Sequence, residues 1–207
     1  TIMINFLGLL IGFPAPIILA LLLNELRNDK FKRTVQTVSY MPHFISLVII
    51  CGMIKSFSGS NGVFTDIIVF FGGERSALLQ RSSLFRSIYI GSGIWQEIGW
   101  GSIIYLAALA GIDQEQYEAA KIDGAGRLRQ AIHVTLPGIL PTIIVLFILR
   151  MGNVLSVGYE KILLLYTPTT YEVADVISTY VYRKGILEGS WSYSTAIGLF
   201  NSIINVI

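Results

Sequence analysis

Long apolar segments alternate with shorter polar connections along the chain. Four of them cover residues 2–23, 37–54, 88–112 and 138–158, and another begins at Trp191. An apolar helix of about 17–25 residues can cross a hydrocarbon layer about 30 Å thick. A helix also satisfies its own backbone hydrogen bonds, for which lipid offers no partners. The pattern therefore predicts an all-α, polytopic membrane helical bundle with about five spans, the last of them incomplete.

Prolines mark places where the predicted spans should be irregular. Pro14 and Pro16 fall inside the first apolar segment, and Pro42 falls inside the second. Because proline lacks a backbone donor and clashes with the preceding turn, we expect kinks at these positions. Two other stretches are not expected to cross the membrane. The short stretch 63–71 predicts an interfacial or partly buried helix, and 160–189 predicts an external or interfacial connection.

Composition supports the membrane assignment and argues against several other classes of protein. Hydrophobic residues fill 53% of the 207 positions and charged residues only 14%, whereas soluble domains carry about a quarter charged residues. The net charge of +2, without a basic run, gives no indication of a nucleic-acid partner. The single cysteine, Cys51, lies in an apolar run and predicts a buried thiol, not a disulfide or a metal cluster. His43 and His133 are 90 positions apart and predict no metal pair.

Basic residues favour one orientation in the membrane. The connection at 24–33 holds four Lys and Arg residues, and the connection at 113–137 holds three. Both connections lie on the same side of the predicted bundle, and a high density of such residues is typical of the cytoplasmic side. The opposite side carries as many basic residues over much longer stretches, so density and not number supports this orientation.

The segment 113–137 carries the most specific pattern in the chain. Asp113 predicts a helix cap, and the first turns after it carry the negative charge that the helix dipole favours. Gly124 and Gly126 then permit a sharp change of direction. The residues alone predict two short helices joined by a glycine elbow at the cytoplasmic face. They leave open whether the elbow docks on a partner protein or is an ordinary interfacial helix.

This segment resembles the EAA loop of binding-protein-dependent ABC importer permeases. Nine residues separate Gly124 from Val134-Thr135-Leu136-Pro137, where the family pattern has Ile-x-Leu-Pro, so Val134 is a mild departure. In that family the loop forms coupling helices that sit in a cleft of an ATPase subunit. The residues that the resemblance identifies as coupling to the ATPase are Glu118, Ala119, Ala120, Asp123, Gly124, Ala125, Leu136 and Pro137.

Four more segments resemble the subfamily that takes up oligosaccharides and polysaccharide fragments. They are residues 12–16, 40–46, 99–109 and 179–183. The resemblance implies a single type I ABC importer transmembrane domain over 1–207, with 113–137 as its cytoplasmic coupling loop. It also implies that the N-terminal span and the end of the last span of such a domain are missing from this fragment.

The resemblance further implies a function and a set of partners. The chain would be a multi-pass permease subunit in the cytoplasmic membrane of a prokaryote, importing carbohydrate delivered by an extracytoplasmic solute-binding protein. Its other partners would be ATP-binding subunits and a second, different permease within the lipid bilayer, with a second copy of this chain as the alternative. The chain would be no enzyme and bind no cofactor, since Mg-ATP belongs to the ATPase subunit. The sequence contains no GxxxxGK[ST] loop, which agrees with an external motor.

Ionisable and aromatic residues inside the predicted spans are candidates for a translocation path. Glu97 and Arg150 lie at matching depths, and a charge inside a membrane usually faces a cavity or a partner. We expect the two to pair across adjacent helices, either structurally or along the path. Aromatic faces and amides suit sugar rings, although aromatic residues also serve as interface anchors or packing. The candidates are Trp95, Glu97, Trp100, Tyr105, Arg150, Asn153 and Tyr159.

Two other classes of function stay open at this point. An ion- or proton-coupled secondary carrier would work without an ATPase, but it needs intramembrane carboxylates, and only Glu97 lies clearly at membrane depth. A membrane-embedded enzyme would need a nucleophile with its base or a metal constellation, and the sequence indicates neither. Within the importer class, a permease for a non-sugar solute is a further alternative.

Overall fold

The computed structural model describes residues 1–153 and 158–206. Within those ranges every regular element is a helix and no strand occurs, which confirms the predicted all-α fold. The α-helices in chain order are α1 (Ile2–Leu7), α2 (Pro14–Asn24), α3 (Asp29–Tyr40), α4 (Leu47–Phe57), α5 (Val63–Phe70), α6 (Ser82–Ala110), α7 (Gln114–Ile122), α8 (Arg127–Gln130), α9 (Leu136–Met151), α10 (Tyr159–Leu165), α11 (Tyr171–Ala174), α12 (Ile177–Tyr182) and α13 (Trp191–Val206). Short 3-10 segments lie at Met41–Phe44, Leu78–Gln80 and Pro168–Thr170, and π-helical segments at Gly8–Gly12, Ala131–Thr135 and Arg183–Leu187.

Two continuous helical stretches among the described residues are long and apolar enough to cross a membrane. The stretch Ile2–Asn24 agrees with the predicted span 2–23. The stretch Arg127–Met151 includes the beginning of the predicted span 138–158 but starts well before it. The last residues of that predicted span lie outside the described part of the chain.

Each of these two stretches contains a π-helical turn just before a proline. One π segment, Gly8–Gly12, ends two residues before Pro14, and the other, Ala131–Thr135, ends two residues before Pro137. A proline ring clashes with the preceding turn of an α-helix and leaves one of its carbonyls without a donor. A wider turn accommodates the ring while the helix continues. The irregularity expected near Pro14 is therefore confirmed as a change of helical pitch.

The predicted span over 37–54 is broken and does not form one continuous helix. Helix α3 leads into the 3-10 segment Met41–Phe44, the helix then breaks, and α4 begins at Leu47. Pro42 lies in this 3-10 segment, where it has no backbone donor to continue an α-helix. If the helices on the two sides of the break cross the membrane together, they form a third candidate span.

The remaining predicted spans differ in length and polarity. Helix α6 has 29 residues and contains most of the predicted span 88–112. At about 1.5 Å per residue it is long enough to cross a membrane, but Gln96 and Glu97 in its middle make it less apolar than the two stretches above. Helix α13 has 16 residues within the described chain, fewer than a typical span. Helix α5 is short, as the sequence predicts for residues 63–71.

The chain divides into two compact units, each with its own apolar core. The first unit comprises Thr1–Gly8, Phe44–Gly93 and Gly152–Ile207, and the second comprises Leu9–His43 and Ile94–Met151. Cys51 is buried in the core of the first unit, as predicted. That core is formed by Ile4, Ile50, Cys51, Ile54, Leu79, Phe85, Ile162, Leu165, Ala174 and Val176. The core of the second unit is formed by Ile17, Ala20, Tyr105, Leu109, Ile112 and Ile139.

Candidate functional site

The segment 113–137 lies in the second unit and begins with a capped helix. The side chain of Asp113 accepts a hydrogen bond of 3.0 Å from the backbone N–H of Glu115, which confirms Asp113 as the cap of α7. Glu118 and Ala119 lie on the exposed surface of α7. The predicted first helix of this loop is therefore present, and Glu118 and Ala119, the first two residues of the sequence motif, are exposed on it.

A glycine in the left-handed conformation forms the elbow after α7. Gly124 has a φ of +74°, a region that side-chain-bearing residues rarely adopt. Its N–H donates to the carbonyl of Lys121 at 3.0 Å, and the N–H of Ala125 donates to the carbonyl of Ala120 at 2.8 Å. These two bonds form a Schellman motif, which satisfies the last carbonyls of a helix. The pattern joins Ala120, Gly124 and Ala125, three of the residues identified from sequence.

The second glycine of the elbow has a different role from the one predicted. Gly126 has φ −67° and ψ 169°, an extended conformation that any residue adopts, and it precedes the first residue of α8. The change of direction thus depends on Gly124, whereas Gly126 only starts the next helix.

The second short helix of the loop is not a separate element. Helix α8 has four residues and continues through the π segment Ala131–Thr135 into α9, so Arg127–Met151 is one continuous helix. The expectation of two short helices is therefore wrong in its second half, since the wide π turn lets the helix pass Pro137 without a break. Leu136 and Pro137, the end of the sequence motif, form the first turn of α9. The elbow is consequently attached directly to a helical stretch that is long and apolar enough to cross a membrane.

Three side chains hold the arms of the elbow together. The hydroxyl of Tyr117 on α7 donates to Oγ1 of Thr135 at 3.1 Å, and the buried Thr135 hydroxyl donates to the carbonyl of Gln130 at 3.3 Å. Nε2 of Gln130 in turn donates to the carbonyl of Ala125 at 2.7 Å. None of these residues was identified from the sequence. The only signal in the sequence for these contacts is that Thr135, just before Leu136 and Pro137, follows Tyr117 by 18 positions.

Large apolar side chains are exposed around the elbow. Ile122 at the end of α7 is 87% exposed, and Leu128 on α8 is 75% exposed. Most of their neighbours in this loop are polar or charged, and Arg127 forms a long ion pair of 3.8 Å with Glu25 after α2. Exposed apolar side chains grouped on a polar loop are typical of a protein interaction surface. We call the elbow with these two exposed apolar side chains the apolar tip of the loop.

A second candidate site lies in the middle of α6. His43 Nδ1 lies 3.0 Å from Oε2 of Glu97, and the His43 ring stacks on the ring of Trp100 with centroids 4.4 Å apart and planes at 2°. We call His43, Glu97 and Trp100 the ring–carboxylate cluster. Glu97 therefore pairs with His43, and the pair with Arg150 expected from the sequence does not form. Arg150 lies exposed near the end of α9.

Close backbone packing explains why His43 reaches Glu97. A Cβ at Gly99 would overlap the carbonyl of Ser39, so the end of α3 lies directly against α6 at this glycine. The 3-10 segment Met41–Phe44 follows at once and carries His43 onto the same helix. Matching depths along the spans could suggest Arg150 as a partner. They could not reveal a contact between residues 54 positions apart that depends on a helix break.

The other path candidates fall in different surroundings. Tyr105 is only 4% exposed and packs in the core of the second unit, so its place indicates a structural role. Trp95 is exposed on α6. Asn153 and Tyr159 belong to the first unit, where both are exposed and Tyr159 stacks on Tyr182 at 6.2 Å between ring centroids.

Two basic side chains in the first unit, those of Lys161 and Arg183, form contacts that the sequence did not indicate. Lys161 is nearly buried, and its Nζ donates to the carbonyl of Tyr89 at 3.2 Å. Arg183 pairs with Asp175 at 2.7 Å, and the hydrogen bond between them raises the pKa of Arg183. Asp175 also accepts a bond of 2.6 Å from the hydroxyl of Thr179. These contacts stabilise the connection 160–189 as folded structure.

No group of three or more His, Cys, Asp and Glu residues within the described ranges is placed to hold a metal ion.

A family comparison identifies this arrangement. The model of the family described as "Binding-protein-dependent transport system inner membrane component" matches residues 12–207. The chain belongs to this family. The family resemblance inferred from the segment 113–137 is thereby confirmed, and the match favours an importer subunit over a secondary carrier.

Several known members of the family are similar to the chain. Protein LplB of Bacillus subtilis is 49% identical over 208 residues, which cover 100% of this chain. The polygalacturonan/rhamnogalacturonan transport system permease protein YteP of the same organism is 48% identical over the same proportion. The chain spans 65% of the length of each of these two relatives.

Solved structures show that this family member has the fold of an ABC importer. A chain in the crystal structure of a bacterial ABC transporter involved in the import of the acidic polysaccharide alginate matches with a TM-score of 0.96 and 47% identity, over 99% of this chain and 72% of that one. A chain in the alginate transporter complexed with a pentasaccharide-bound periplasmic protein matches with a TM-score of 0.95 and 46% identity, over 99% and 71%. The predicted type I importer fold is thus confirmed.

Proposed function

We propose that this chain is the transmembrane permease subunit of an ATP-driven importer for oligosaccharides. The observation that carries the proposal is the elbow at Gly124, whose exposed apolar tip leads directly into a helix that is long and apolar enough to cross a membrane. A partner that grips the tip can therefore move the span. The family membership and the names of the similar proteins support the same function.

The ATPase subunits supply the energy, and this chain transmits it. Mg-ATP binds to the partner subunits, which move the elbow when they close. Burying a side chain such as Ile122 or Leu128 in a cleft of the partner contributes about 1.5–3 kcal/mol, so two such residues provide a useful share of the docking energy. The hydrogen bonds of Tyr117, Gln130 and Thr135 keep α7 and the start of the span from moving apart under load.

The rest of the assembly follows from the same proposal. The chain works in the cytoplasmic membrane of a prokaryote, with a second permease subunit beside it and an extracytoplasmic binding protein that delivers the solute. Exposed apolar residues along α9, such as Ile144, Ile148 and Leu149, fit contact with lipid or with the second permease. The acidic polysaccharides named for YteP and for the alginate transporter make uronate oligosaccharides the first substrates to test.

The proposed path residues are those of the candidate set that have exposed side chains. Glu97 and Trp100 carry the strongest argument because they form part of the ring–carboxylate cluster. The others are Trp95, Arg150, Asn153 and Tyr159.

Co-purification of the ATPase subunits tests the proposed function. The full-length permease is co-expressed with its partner permease and ATPase, either as wild type or as Ile122→Glu. Ile122 is 87% exposed, so a charge there leaves the fold of the chain intact. In a docked elbow, however, the charge loses its water and the complex dissociates. We expect wild type to retain the ATPase and Ile122→Glu to lose it.

Gln116→Glu provides the matched control, since Gln116 is exposed on another face of the same helix. This variant should bind the ATPase like wild type. Loss of the ATPase in both variants, or in neither, would contradict docking through the elbow. If no ATPase co-purifies with the wild-type complex, the proposal that the chain is an importer subunit is wrong.

A further inference from the structure

Helix α5 carries an apolar face on the outside of the first unit. Large apolar side chains at helical spacing fall within about a third of its circumference. Phe70 and Phe71 are 85% and 82% exposed, and the other members of the set are about half exposed. We call these side chains the α5 stripe, which consists of Val63, Phe64, Ile67, Phe70 and Phe71.

The side of α5 that faces the protein is polar. Thr65 is fully buried, and its hydroxyl donates to the carbonyl of Gly59 at 2.7 Å and also lies 3.3 Å from the carbonyl of Ser76. A surface helix of a soluble protein has the opposite arrangement, with its apolar residues toward the core and its polar residues toward water. The reversed polarity of α5 fits surroundings that are themselves apolar.

A charged pair lies beside the α5 stripe and not within it. Asp66 accepts a hydrogen bond of 2.7 Å from Nη2 of Arg75, and Nη1 of Arg75 donates to the carbonyl of Ser60 at 3.0 Å. Both charged side chains are about half exposed. The segment therefore combines an apolar face with a polar edge, as does a helix that lies at the boundary between lipid and water.

The preceding helix indicates where such a boundary lies. The exposed residues near the start of α4 are the apolar Val48 and Ile49, whereas the exposed residues of its last turn include Lys55 and Ser56. A lysine near the end of an apolar helix extends its ammonium group to the polar surface of a membrane. The last turn of α4 is consequently the expected edge of an apolar layer.

Helix α5 begins at this edge. A Cβ at Gly62, the cap of α5, would overlap the carbonyl of Phe57, the last residue of α4. The rings of Phe57 and Phe64 also contact each other, with centroids 5.8 Å apart. The α5 stripe is thus held next to the end of α4 by close packing of the backbone.

We propose that the α5 stripe inserts into the interfacial layer of the lipid bilayer, so that α5 lies along the membrane surface and anchors the segment 58–80. Interfacial helices bury their apolar face about 5–10 Å into the boundary between headgroups and acyl chains. The inference needs only a membrane protein, which the family of inner membrane components supplies. It depends neither on the solute nor on the docking of the ATPase.

A protein that docks on the stripe from the aqueous side is the main competing occupant. The α5 stripe offers no side-chain hydrogen-bonding group to such a partner, whereas docking surfaces usually include polar contacts. Each departure of the partner would also return the two most exposed phenylalanines, Phe70 and Phe71, to water, which is unfavourable. A bilayer covers the face permanently and needs no hydrogen bonds from it.

Fluorescence quenching in the assembled importer identifies the occupant. The full-length permease is reconstituted with its partner subunits in liposomes, after Cys51→Ala and removal of the other cysteines of the complex. Phe70→Cys then carries a bimane label. Glu74→Cys is the matched control, since Glu74 is exposed and lies four residues further along. The quenchers are iodide in the water and lipids with a nitroxide either near the headgroup or near the end of the acyl chain.

Insertion into the interface predicts opposite responses at the two positions. The lipid quencher near the headgroup should quench the Phe70 label about fivefold more strongly than the Glu74 label, and iodide should quench it about fivefold less. The lipid quencher at the end of the acyl chain should be less effective at Phe70 than the one near the headgroup. This pattern should be present without the solute-binding protein.

Three other outcomes would each overturn the proposal. Equal quenching of both labels by iodide would show that the stripe lies in water, and protection that appears only with the binding protein would make that protein the occupant. A Phe70 label that no quencher reaches would be covered by protein. Loss of the second permease from the Phe70→Cys complex, but not from the Glu74→Cys complex, would assign the stripe to that subunit. All of these leave the proposed function intact, because the ATPase test at the elbow is independent of α5.

Discussion

The elbow and the ring–carboxylate cluster both depend on a glycine, but for different physical reasons. Gly124 has a φ of +74° and open space around the position of a Cβ, so the backbone conformation requires glycine there. Gly99 has ordinary helical geometry, and a Cβ there would overlap the carbonyl of Ser39. One position lacks a side chain because of its dihedral angle, and the other because of its neighbour.

The difference between the two glycines also sets how each region can respond to change. The elbow is held mainly by hydrogen bonds between residues close in sequence, and Tyr117 and Thr135 are the most distant pair among them. A disturbed elbow can therefore rearrange locally while the core of the unit persists. The cluster joins His43 to Glu97 across 54 positions through a helix contact without spare room. A disturbance there has to move a whole helix.

The largest expected effect is that of Gly99→Ala. Because the new methyl group meets a backbone carbonyl, relief requires α3 and α6 to separate, and overpacking of this kind costs about 1–3 kcal/mol or more. We expect a lower unfolding temperature for the purified complex and disruption of the contact between His43 and Glu97. Thermal unfolding followed by fluorescence measures the first effect.

Gly91→Ala is the matched control on the same helix. A Cβ at Gly91 meets nothing within 4 Å, and alanine favours helix more than glycine does. This variant should be neutral or slightly more stable than wild type. Equal destabilisation by the two substitutions would show that the contact with Ser39 is not what makes Gly99 necessary.

Gly124→Ala should have the next largest effect, and on docking more than on stability. The left-handed conformation costs a residue with a side chain about 1–2 kcal/mol, so the Schellman motif should open and displace the apolar tip. ATPase co-purification should fall while the permease still reaches the membrane. Gly126→Ala, at an extended position with open space, should bind the ATPase like wild type. Equal losses in the two variants would contradict a role for the positive φ of Gly124.

The same contrast explains how much could be predicted from the sequence. The elbow follows from local rules: Asp113 caps α7, Gly124 ends it, and the spacing to Leu136 and Pro137 indicates the family. The membrane character and the all-α fold follow from the long apolar segments in the same way. What local rules missed in the loop is the continuity of α8 with α9, because a π turn before Pro137 has no sequence signal of its own.

The partner of Glu97 could not be predicted for a different reason. Its identity depends on a helix break near Pro42 and on the approach of α3 to Gly99, both of which are tertiary features. Pro42 indicated an irregularity in the helix, but it indicated neither the direction of the bend nor the residue that the bend would bring against Glu97. Depth along straight helices therefore pointed to Arg150 and away from His43. Tyr105 was likewise a candidate for the path by residue type alone, and its burial shows it to be core.

Tyr117→Phe should have a smaller effect, which concerns the coupling of ATP hydrolysis to transport and not the binding of the ATPase. The substitution removes the hydrogen bond to Thr135, whose hydroxyl keeps its other bond to the carbonyl of Gln130. Such a bond contributes about 0.5–1.5 kcal/mol, so α7 stays folded and the ATPase stays bound. We expect a lower ratio of sugar transported to ATP hydrolysed in proteoliposomes. Thr135→Val, which removes both bonds, should lower the ratio further. If neither variant changes the ratio, these hydrogen bonds play no part in coupling ATP hydrolysis to transport.

The smallest expected effect is that of Glu25→Gln, which removes the charge facing Arg127. The two groups are 3.8 Å apart and both are about half exposed, and such surface pairs contribute about 0–1 kcal/mol. Because the elbow is already held by Gly124 and by the bonds to Thr135, ATPase retention and transport should stay close to wild type at physiological salt. A salt titration of ATPase binding provides the measurement, with Arg127→Gln as the reciprocal variant. If Glu25→Gln weakened docking as strongly as Gly124→Ala, the position of the elbow would depend on the end of α2, and local bonds alone would not account for it.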